Sequence, residues 1–114
     1  MRRSEIWLIN LDPTIGAEIK KTRPAVIVSS DDMGILPLKV IVPITDWKPN
    51  YAQVPWMVQV HPNVQNGLSK PSAVDTFQVR AISETRFVRR LGVIHPSTMK
   101  SIASALAEVL EIVQ

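Results

Sequence analysis

The chain has 114 residues, of which 46% are hydrophobic and 20% are charged, a balance typical of one globular domain. It contains no cysteine, which excludes disulfides, thiolate catalysis and cysteine-based zinc sites. With 13 Lys and Arg against 10 Asp and Glu, the net charge of +3 favours a polyanionic or acidic partner. No apolar run is long enough for a membrane span or a signal peptide, so we predict a cytoplasmic protein with no membrane partner.

Short β-rich segments occupy the first part of the chain, where the prolines make long helices unfavourable. β-branched residues dominate these segments, as is typical of strands. Such a series, with turn signals between its members, indicates a closed or half-closed antiparallel barrel. The predicted strands are 6–9, 25–28, 40–42, 54–60, 72–82 and 87–94.

A helix is predicted after these strands. Pro96 suits the first turn of a helix, where its missing N–H would have no partner. Apolar residues then recur at spacings of three and four, which predicts a helix of about four turns with one apolar face. We expect this helix to cover an open face of the barrel; the alternative is a surface for a partner. The face comprises Met99, Ile102, Ala103, Leu106, Val109, Leu110 and Val113.

Several common kinds of catalytic site are excluded by residue type. Zinc sites usually need several His or Cys ligands at short spacing, and the only histidines are His61 and His95. No glycine-rich phosphate loop is present. We therefore expect neither a metal nor a cofactor. Acid–base chemistry by the two histidines remains an alternative.

The segment from Asp12 to Arg23 is long for a connection between two strands, and long ordered loops often carry function. It contains Glu18 and three bases, Lys20, Lys21 and Arg23. Arg23 precedes Pro24 and an apolar strand, which should fix its backbone. The alternative is an ordinary solvated loop.

Two further segments contain polar residues within strands. Thr45 lies at the tip of the strand that contains Val40 to Val42, although Thr alone is most often structural there. In segment 72–82 neither face of an extended strand is wholly apolar, so one face should line a wet surface or belong to a solvated edge. One face would hold Ala73, Asp75, Phe77 and Val79, and the other Val74, Thr76, Gln78 and Arg80.

Taken together, these motifs resemble the MazF/PemK family of toxin endoribonucleases. The likeness covers nearly the whole chain, and the order and spacing of the motifs identify the family better than any single motif. The matching residues are Glu5-Ile6-Trp7, Asp12-Pro13, Gly16, Glu18, Arg23 to Ser29, Val42 to Thr45, Leu68 to Ser72, Gln78 to Arg80 and Arg90-Leu91-Gly92.

The resemblance implies one domain over residues 1–114: a mainly β, SH3-like antiparallel barrel with a C-terminal helix, assembled as a homodimer. It implies metal-independent cleavage of single-stranded RNA, including mRNA, at short sequence motifs. Attack by the 2′-hydroxyl of the substrate would leave 2′,3′-cyclic phosphate and 5′-hydroxyl ends. A cognate antitoxin, whose disordered tail occupies the RNA groove, would be the protein partner.

Site residues follow from the same resemblance. The functional arginine of the family maps onto Arg23 and its hydroxyl residue onto Thr45, which we expect to be catalytic. Its loop glutamate maps onto Glu18 and its glutamine onto Gln78. We expect these two residues to bind substrate together with the nearby bases Lys20, Lys21 and Arg80.

The chain departs from the family pattern before Gln78, where many members have a carboxylate proposed as a general base. Here the residue is Phe77, which could belong to the core or stack on an RNA base. Asp75, two residues earlier, is a possible general base. Trp47, Tyr51 and Trp56 could also stack bases, or serve loop or dimer packing.

Two alternatives to an RNase are consistent with this sequence. The gyrase-inhibiting CcdB toxins resemble the family in fold, and a gyrase-targeting toxin would need no RNA-cleaving site. A non-catalytic RNA-binding member is the second, because Phe77 replaces the usual carboxylate.

Overall fold

The computed structural model describes residues 1–113, so Gln114 of the predicted domain lies outside the described residues. Seven strands precede one helix, and three short 3-10 turns interrupt the strands. The elements are β1 (Glu5–Asn10), β2 (Thr22–Ile27), β3 (Leu38–Asp46), β4 (Met57–Val60), β5 (Ser72–Asp75), β6 (Arg80–Ser83), β7 (Phe87–Val93) and α1 (Pro96–Val109); the 3-10 turns are Pro49–Gln53, Thr76–Gln78 and Glu84–Arg86.

All strands belong to one antiparallel sheet in the order β4-β5-β3-β2-β1-β7, with β6 also paired to β3. Within the described residues the two end strands, β4 and β7, do not pair, so the barrel is not closed. The predicted fold class, a mainly β antiparallel sheet with a C-terminal helix, is confirmed. The strand boundaries differ from the prediction in four main places. Segment 54–60 contains a strand only from Met57, and 72–82 is divided between β5 and β6. β2 begins three residues before the predicted strand 25–28, and β3 extends beyond the predicted strand 40–42 at both ends.

The interruption of the predicted strand 72–82 lies opposite Pro43. Val28 N–H donates to the carbonyl of Val40, so the even-numbered residues of β3 direct their amides toward β2. The odd-numbered residues therefore face β5 and β6, and at position 43 there is no N–H to donate. The chain leaves the ladder there and forms the 3-10 turn Thr76–Gln78. The predicted alternation of side chains is therefore wrong beyond Asp75.

Alternation along β3 supplies two hydrophobic clusters, one on each face of the sheet. Val42 and Ile44 face the cluster that α1 covers through Met99 and Ile102. Ile41 belongs to a second cluster, with Ile9, Leu11, Ala25, Ile27 and Ile82. The sheet is thus buried on both faces, and this packing holds β2 and β3 in place.

The helix begins at Pro96 and its 14 residues form about four turns, as predicted, but it ends before the last residues of the predicted apolar face. Glu111 has a φ of 57°, in the left-handed region. Its N–H donates to the Glu108 carbonyl at 3.2 Å, and Ile112 N–H donates to the Ala107 carbonyl at 2.8 Å. This pair of bonds is the Schellman arrangement that ends a helix. Leu110 and Val113, predicted on the buried face, are consequently exposed.

The segment 63–68 is held tightly against β7. Asn66, 1% exposed, donates from Nδ2 to the His61 carbonyl and accepts from the N–H groups of Asn63 and Leu68. A Cβ atom at Gly92 would lie 2.2 Å from the Gln65 carbonyl oxygen, inside contact distance. Only glycine at position 92 therefore permits this close approach of the two backbones. The approach fixes the position of the chain that continues from Gly67.

Gly92→Ala should consequently destabilise the protein by about 1–3 kcal/mol, the range expected for overpacking. The measurement is the free energy of unfolding in urea. Gly34→Ala is the control, since a Cβ at Gly34 meets open space and carries only the cost of its positive φ. Equal stability of Gly92→Ala and the wild type would show that segment 63–68 moves away without cost.

Candidate active site

A cavity of about 450 Å³ opens between the start of β2, the end of β3 and segment 67–72. Arg23 and Thr45, predicted from distant parts of the sequence to act together, both line it. Neighbouring strands bring them together, because β2 pairs with β3 in antiparallel register. We call it the basic cavity; its polar lining includes Lys21, Arg23, Thr45, Asp46, Ser69, Lys70, Ser72 and Arg89.

Arg23 lies in β2, paired with Ile9 of β1. Within residues 1–113 its guanidinium makes one hydrogen bond, from Nε to the Lys20 carbonyl at 3.4 Å, and no salt bridge. The terminal nitrogens can therefore donate to an anionic group in the basic cavity. A guanidinium offers several donors in a rigid fork and keeps its charge at all relevant pH values.

Thr45 is the second-last residue of β3, as the sequence predicted for a hydroxyl at a strand tip. Its backbone pairs with Ala73 of β5, and its side chain is half-buried. Since its hydroxyl makes no hydrogen bond within residues 1–113, it can donate to a ligand in the basic cavity. Rigid strands thus hold both predicted catalytic side chains.

The charge of the basic cavity is strongly positive. Four bases, Lys21, Arg23, Lys70 and Arg89, line it together with one acid, Asp46. Asp46 forms a salt bridge with Lys70, with 3.0 Å between Oδ1 and Nζ. Such a lining attracts polyanions and can bind a phosphodiester backbone.

Three predicted substrate-binding residues lie elsewhere, in a second hollow lined by Glu18, Gln78 and Arg80. There the side chains hold the loop 11–21. Gln78 accepts from Ile19 N–H at 2.6 Å and donates to the Ala17 carbonyl at 3.1 Å, and Arg80 donates to the Leu11 carbonyl at 3.1 Å. The Glu18 carboxylate accepts from Ile15 N–H at 2.6 Å.

This loop leads into β2 just before Arg23. Gln78 and Arg80 therefore contact the basic cavity only indirectly, by holding the loop that leads to it. Of the two loop lysines, Lys21 lines the basic cavity, whereas Lys20 is exposed and does not line it. Among the predicted binding residues, Lys21 alone is thus placed beside Arg23 and Thr45.

Asp75, the possible general base, is 5% exposed at the end of β5 and does not line the basic cavity. Its carboxylate accepts from Phe77 N–H at 3.2 Å and so caps the 3-10 turn. Burial raises the pKa of Asp75 above its ordinary value, although hydrogen bonds from Phe77 and Gln78 act in the opposite direction. This placement is that of a structural carboxylate.

The Asp75→Asn variant should therefore keep the wild-type rate of the RNA cleavage that the family resemblance implies. The folded state holds the proton of Asp75 more tightly than the unfolded state, so wild-type stability falls as pH rises through this pKa. Asn cannot ionise, so the variant should be at least as stable as the wild type at pH 7. Urea unfolding at neutral and acidic pH should show this difference shrinking as Asp75 becomes protonated; a large loss of rate would return Asp75 to the catalytic site.

Phe77 is not a core residue, since it is 62% exposed. Its ring packs on Trp56, with 5.6 Å between ring centroids, while Trp47 packs on Tyr51 at 5.8 Å. The aromatic residues considered for base stacking thus form two separate pairs, neither of which lines the basic cavity. The histidines do not line it either: His95 caps α1 by accepting from Ser97 N–H, and His61 is exposed.

Residues 1–113 contain neither a cluster of metal ligands nor a membrane-spanning helix. No group of three or more His, Asp or Glu side chains is arranged there to hold a metal ion. None of the helices in this part of the chain has the length and apolar character needed to cross a membrane.

Three charged residues of the basic cavity were not assigned from the sequence: Asp46, Lys70 and Arg89. Lys70 lies within a motif that carries the family resemblance, and Asp46 directly follows Thr45, so both could have been considered. Arg89 carries no local signal. It reaches the cavity because β7 pairs with β1, where Arg89 lies opposite Leu8.

The chain is a small antiparallel β-protein with a positively charged cavity. The arginine and the threonine hydroxyl in this cavity are groups suited to binding a phosphodiester. Residues 2–110 match the sequence profile of the PemK-like, MazF-like toxins of type II toxin–antitoxin systems. The chain therefore belongs to this toxin family.

Curated and solved relatives agree with that membership. Endoribonuclease MazF9 of Mycobacterium tuberculosis is 32% identical over 113 residues, which is 93% of this chain and 92% of the relative. MazF from Deinococcus radiodurans superposes with a TM-score of 0.80 at 20% identity, covering 98% of this chain and 97% of that one. An endoribonuclease from a mycobacterial species, solved in complex with its cognate antitoxin, gives a TM-score of 0.77 at 20% identity over 100% and 98%.

Proposed function

We propose that this protein is a toxin endoribonuclease that cleaves single-stranded RNA in the basic cavity. The observation that carries the proposal is the convergence of Arg23 and Thr45 on one cavity with four bases and one acid. Family membership and the curated endoribonuclease relative support the same activity. The preferred cleavage motif would depend on how individual bases fit around the cavity.

In the proposed reaction the 2′-oxygen of the substrate attacks the adjacent phosphorus, and the bond from phosphorus to the 5′-oxygen breaks. The products carry a 2′,3′-cyclic phosphate and a 5′-hydroxyl. Because the nucleophile belongs to the substrate, the protein needs to position the phosphate and stabilise its added negative charge. Arg23 would neutralise this charge from β2, and Thr45 would donate a hydrogen bond from β3.

Binding would rest mainly on the phosphate backbone. Lys21, Lys70 and Arg89 surround the two catalytic candidates, so they would hold phosphates on either side of the cleaved bond. Glu18, Lys20, Gln78 and Arg80 would contribute through the loop 11–21, which Gln78 and Arg80 hold in place. Binding of this kind weakens as salt concentration rises.

Cleavage is tested with purified protein, a long single-stranded RNA and a DNA of the same sequence, with EDTA present throughout. The proposal expects RNA to be cut into fragments with cyclic-phosphate ends, and DNA to stay intact because it lacks the 2′-hydroxyl. If several RNAs remain uncut, an RNA-binding or gyrase-targeting toxin would be the better explanation. Inhibition of gyrase in a supercoiling assay would separate these two.

Two protein partners belong to the proposal. The complex of a related endoribonuclease with its cognate antitoxin supports an antitoxin as a partner. This antitoxin would cover the basic cavity and keep RNA out. A second copy of the chain would form a homodimer, and exposed apolar side chains such as Trp56, Phe77 and Leu110 are available for packing. Because messenger RNA would be the substrate, we propose that the protein acts in the cytoplasm.

A further inference from the structure

One carboxylate lines the basic cavity, and it belongs to Asp46. Asp75, the possible general base, and Glu18, predicted to bind substrate, lie elsewhere. Glu18 lines the second hollow and accepts from the backbone of Ile15, and Asp75 is buried beneath the turn Thr76–Gln78. Thr45 and Asp46 end β3 and both line the cavity, so a phosphate held there by Thr45 would share the cavity with the Asp46 carboxylate.

Asp46 is held in place by its surroundings. Its backbone pairs with Ser72 of β5, and Trp47 N–H donates to the Pro71 carbonyl at 3.1 Å. Lys70 Nζ lies 3.0 Å from Oδ1, and Ser72 Oγ donates to the Lys70 carbonyl at 2.8 Å. The salt bridge is made by Oδ1, and 53% of the Asp46 side chain is exposed, so the carboxylate is accessible to solvent.

A carboxylate in a binding site for a polyanion repels the phosphates and so weakens binding. Its presence in the basic cavity therefore points to a role other than binding. An ionised carboxylate can only accept protons or hydrogen bonds. The proton that must leave during RNA cleavage is that of the 2′-hydroxyl, and no histidine lines the basic cavity to take it. Asp46 is thus the cavity group suited to accept it.

We propose that Asp46 is the general base of the cleavage reaction and that Lys70 is a positioning residue for it. This inference rests on the proposed function. The 2′-hydroxyl proton passes to the Asp46 carboxylate as the 2′-oxygen bonds to phosphorus. The bond to the 5′-oxygen breaks, that oxygen takes a proton from water, and the resulting hydroxide deprotonates Asp46. Over one turnover the proton moves from the 2′-oxygen to the 5′-oxygen, and the protein is unchanged.

The test compares Asp46→Asn with the wild type in single-turnover cleavage at saturating RNA. The binding of an uncleavable oligodeoxynucleotide of the same sequence is measured separately. Loss of a general base should lower the cleavage rate by about 100-fold. Binding should be unchanged or tighter, because a negative charge is removed from the cavity. Asp32→Asn, on the exposed loop between β2 and β3, is the matched control and should behave like the wild type.

Asp46→Asn that cleaves at the wild-type rate or faster would overturn the inference. If cleavage by the wild type is lost in Arg23→Ala but kept in Asp46→Asn, the proposed function stands and the inference alone fails. If the wild type itself does not cleave, both fail. Should Asp46→Asn fold poorly by circular dichroism, Asp46→Ser provides the same comparison without the amide.

Lys70 is tested through a double-mutant cycle. Lys70→Met should lower the rate at saturating RNA, and Lys70→Arg should restore it, since arginine can also hold the Asp46 carboxylate. In the Asp46→Asn background, Lys70→Met should cause no further loss of rate, because its effect passes through Asp46. Losses that simply add would overturn the positioning role of Lys70.

Discussion

Arg23→Ala is expected to lower the single-turnover rate of RNA cleavage by more than about 10³-fold without unfolding the protein. Removal of one hydrogen-bond donor to developing negative charge typically costs about 10²–10³ in rate, and Arg23 provides several donors together with a charge. Its guanidinium makes one hydrogen bond in the fold, so little structural support is lost. The measurement is the cleavage rate at saturating RNA, with circular dichroism to verify folding.

Arg23→Lys should recover only part of this loss, because an ammonium keeps the charge but not the planar fork. Arg2→Ala is the control for the loss of one positive charge, since Arg2 precedes β1, is exposed and does not line the basic cavity. A fully active Arg23→Ala variant would show that the cavity is not the site of cleavage.

Thr45→Val should lower the cleavage rate by about 10²–10³-fold, the cost expected for losing one donor to the transition state. Valine keeps the size and β-branching that suit the end of β3, so the strand and its pairing with Ala73 should persist. The rate is measured with RNA at saturation, and binding to an oligodeoxynucleotide is measured beside it. Binding should change less than the rate.

Thr45→Ser separates the hydroxyl from the methyl group and should retain most of the activity. Equal rates for Thr45→Val and the wild type would remove the hydroxyl from the mechanism and leave Arg23 to stabilise the phosphate with Lys21 and Arg89. A fall in binding equal to the fall in rate would assign Thr45 to ground-state binding.

The order of elements was largely predictable from the sequence, because local patterns determine strands such as β1 and the start of α1. Two errors have identifiable causes in the structure, the first non-local and the second local. Pro43 on β3 leaves β5 and β6 without a donor, so a strand that looks continuous in sequence is interrupted there. The last apolar residues fit the helical period, yet Glu111 adopts a left-handed conformation and the helix ends before them.

The site was predictable in part. Arg23 and Thr45 came from the family resemblance, and the pairing of β2 with β3 explains why they meet. Gln78 and Arg80 were interpreted as substrate-binding residues, but their side chains hold the loop 11–21, a contact between segments far apart in the chain. Arg89 could not be found from local pattern, since its place depends on the pairing of β7 with β1.

The position of the basic cavity also explains why Phe77 can replace the carboxylate that many family members have before the glutamine. A carboxylate at that position would lie on the exposed turn Thr76–Gln78 and not in the basic cavity. Proton transfer by Asp46 would make a carboxylate at position 77 unnecessary. Phe77 is then available for packing on Trp56.

The most direct test of the 2′-hydroxyl mechanism uses an RNA oligonucleotide that contains one mapped cleavage site. A single 2′-deoxy substitution is introduced at the nucleotide whose 2′-hydroxyl would attack, and cleavage is followed with EDTA present. The predicted result is that the substituted strand binds as the unmodified RNA does but is not cut at that bond. Cleavage of the substituted bond would contradict the mechanism, because it would require a nucleophile from outside the substrate.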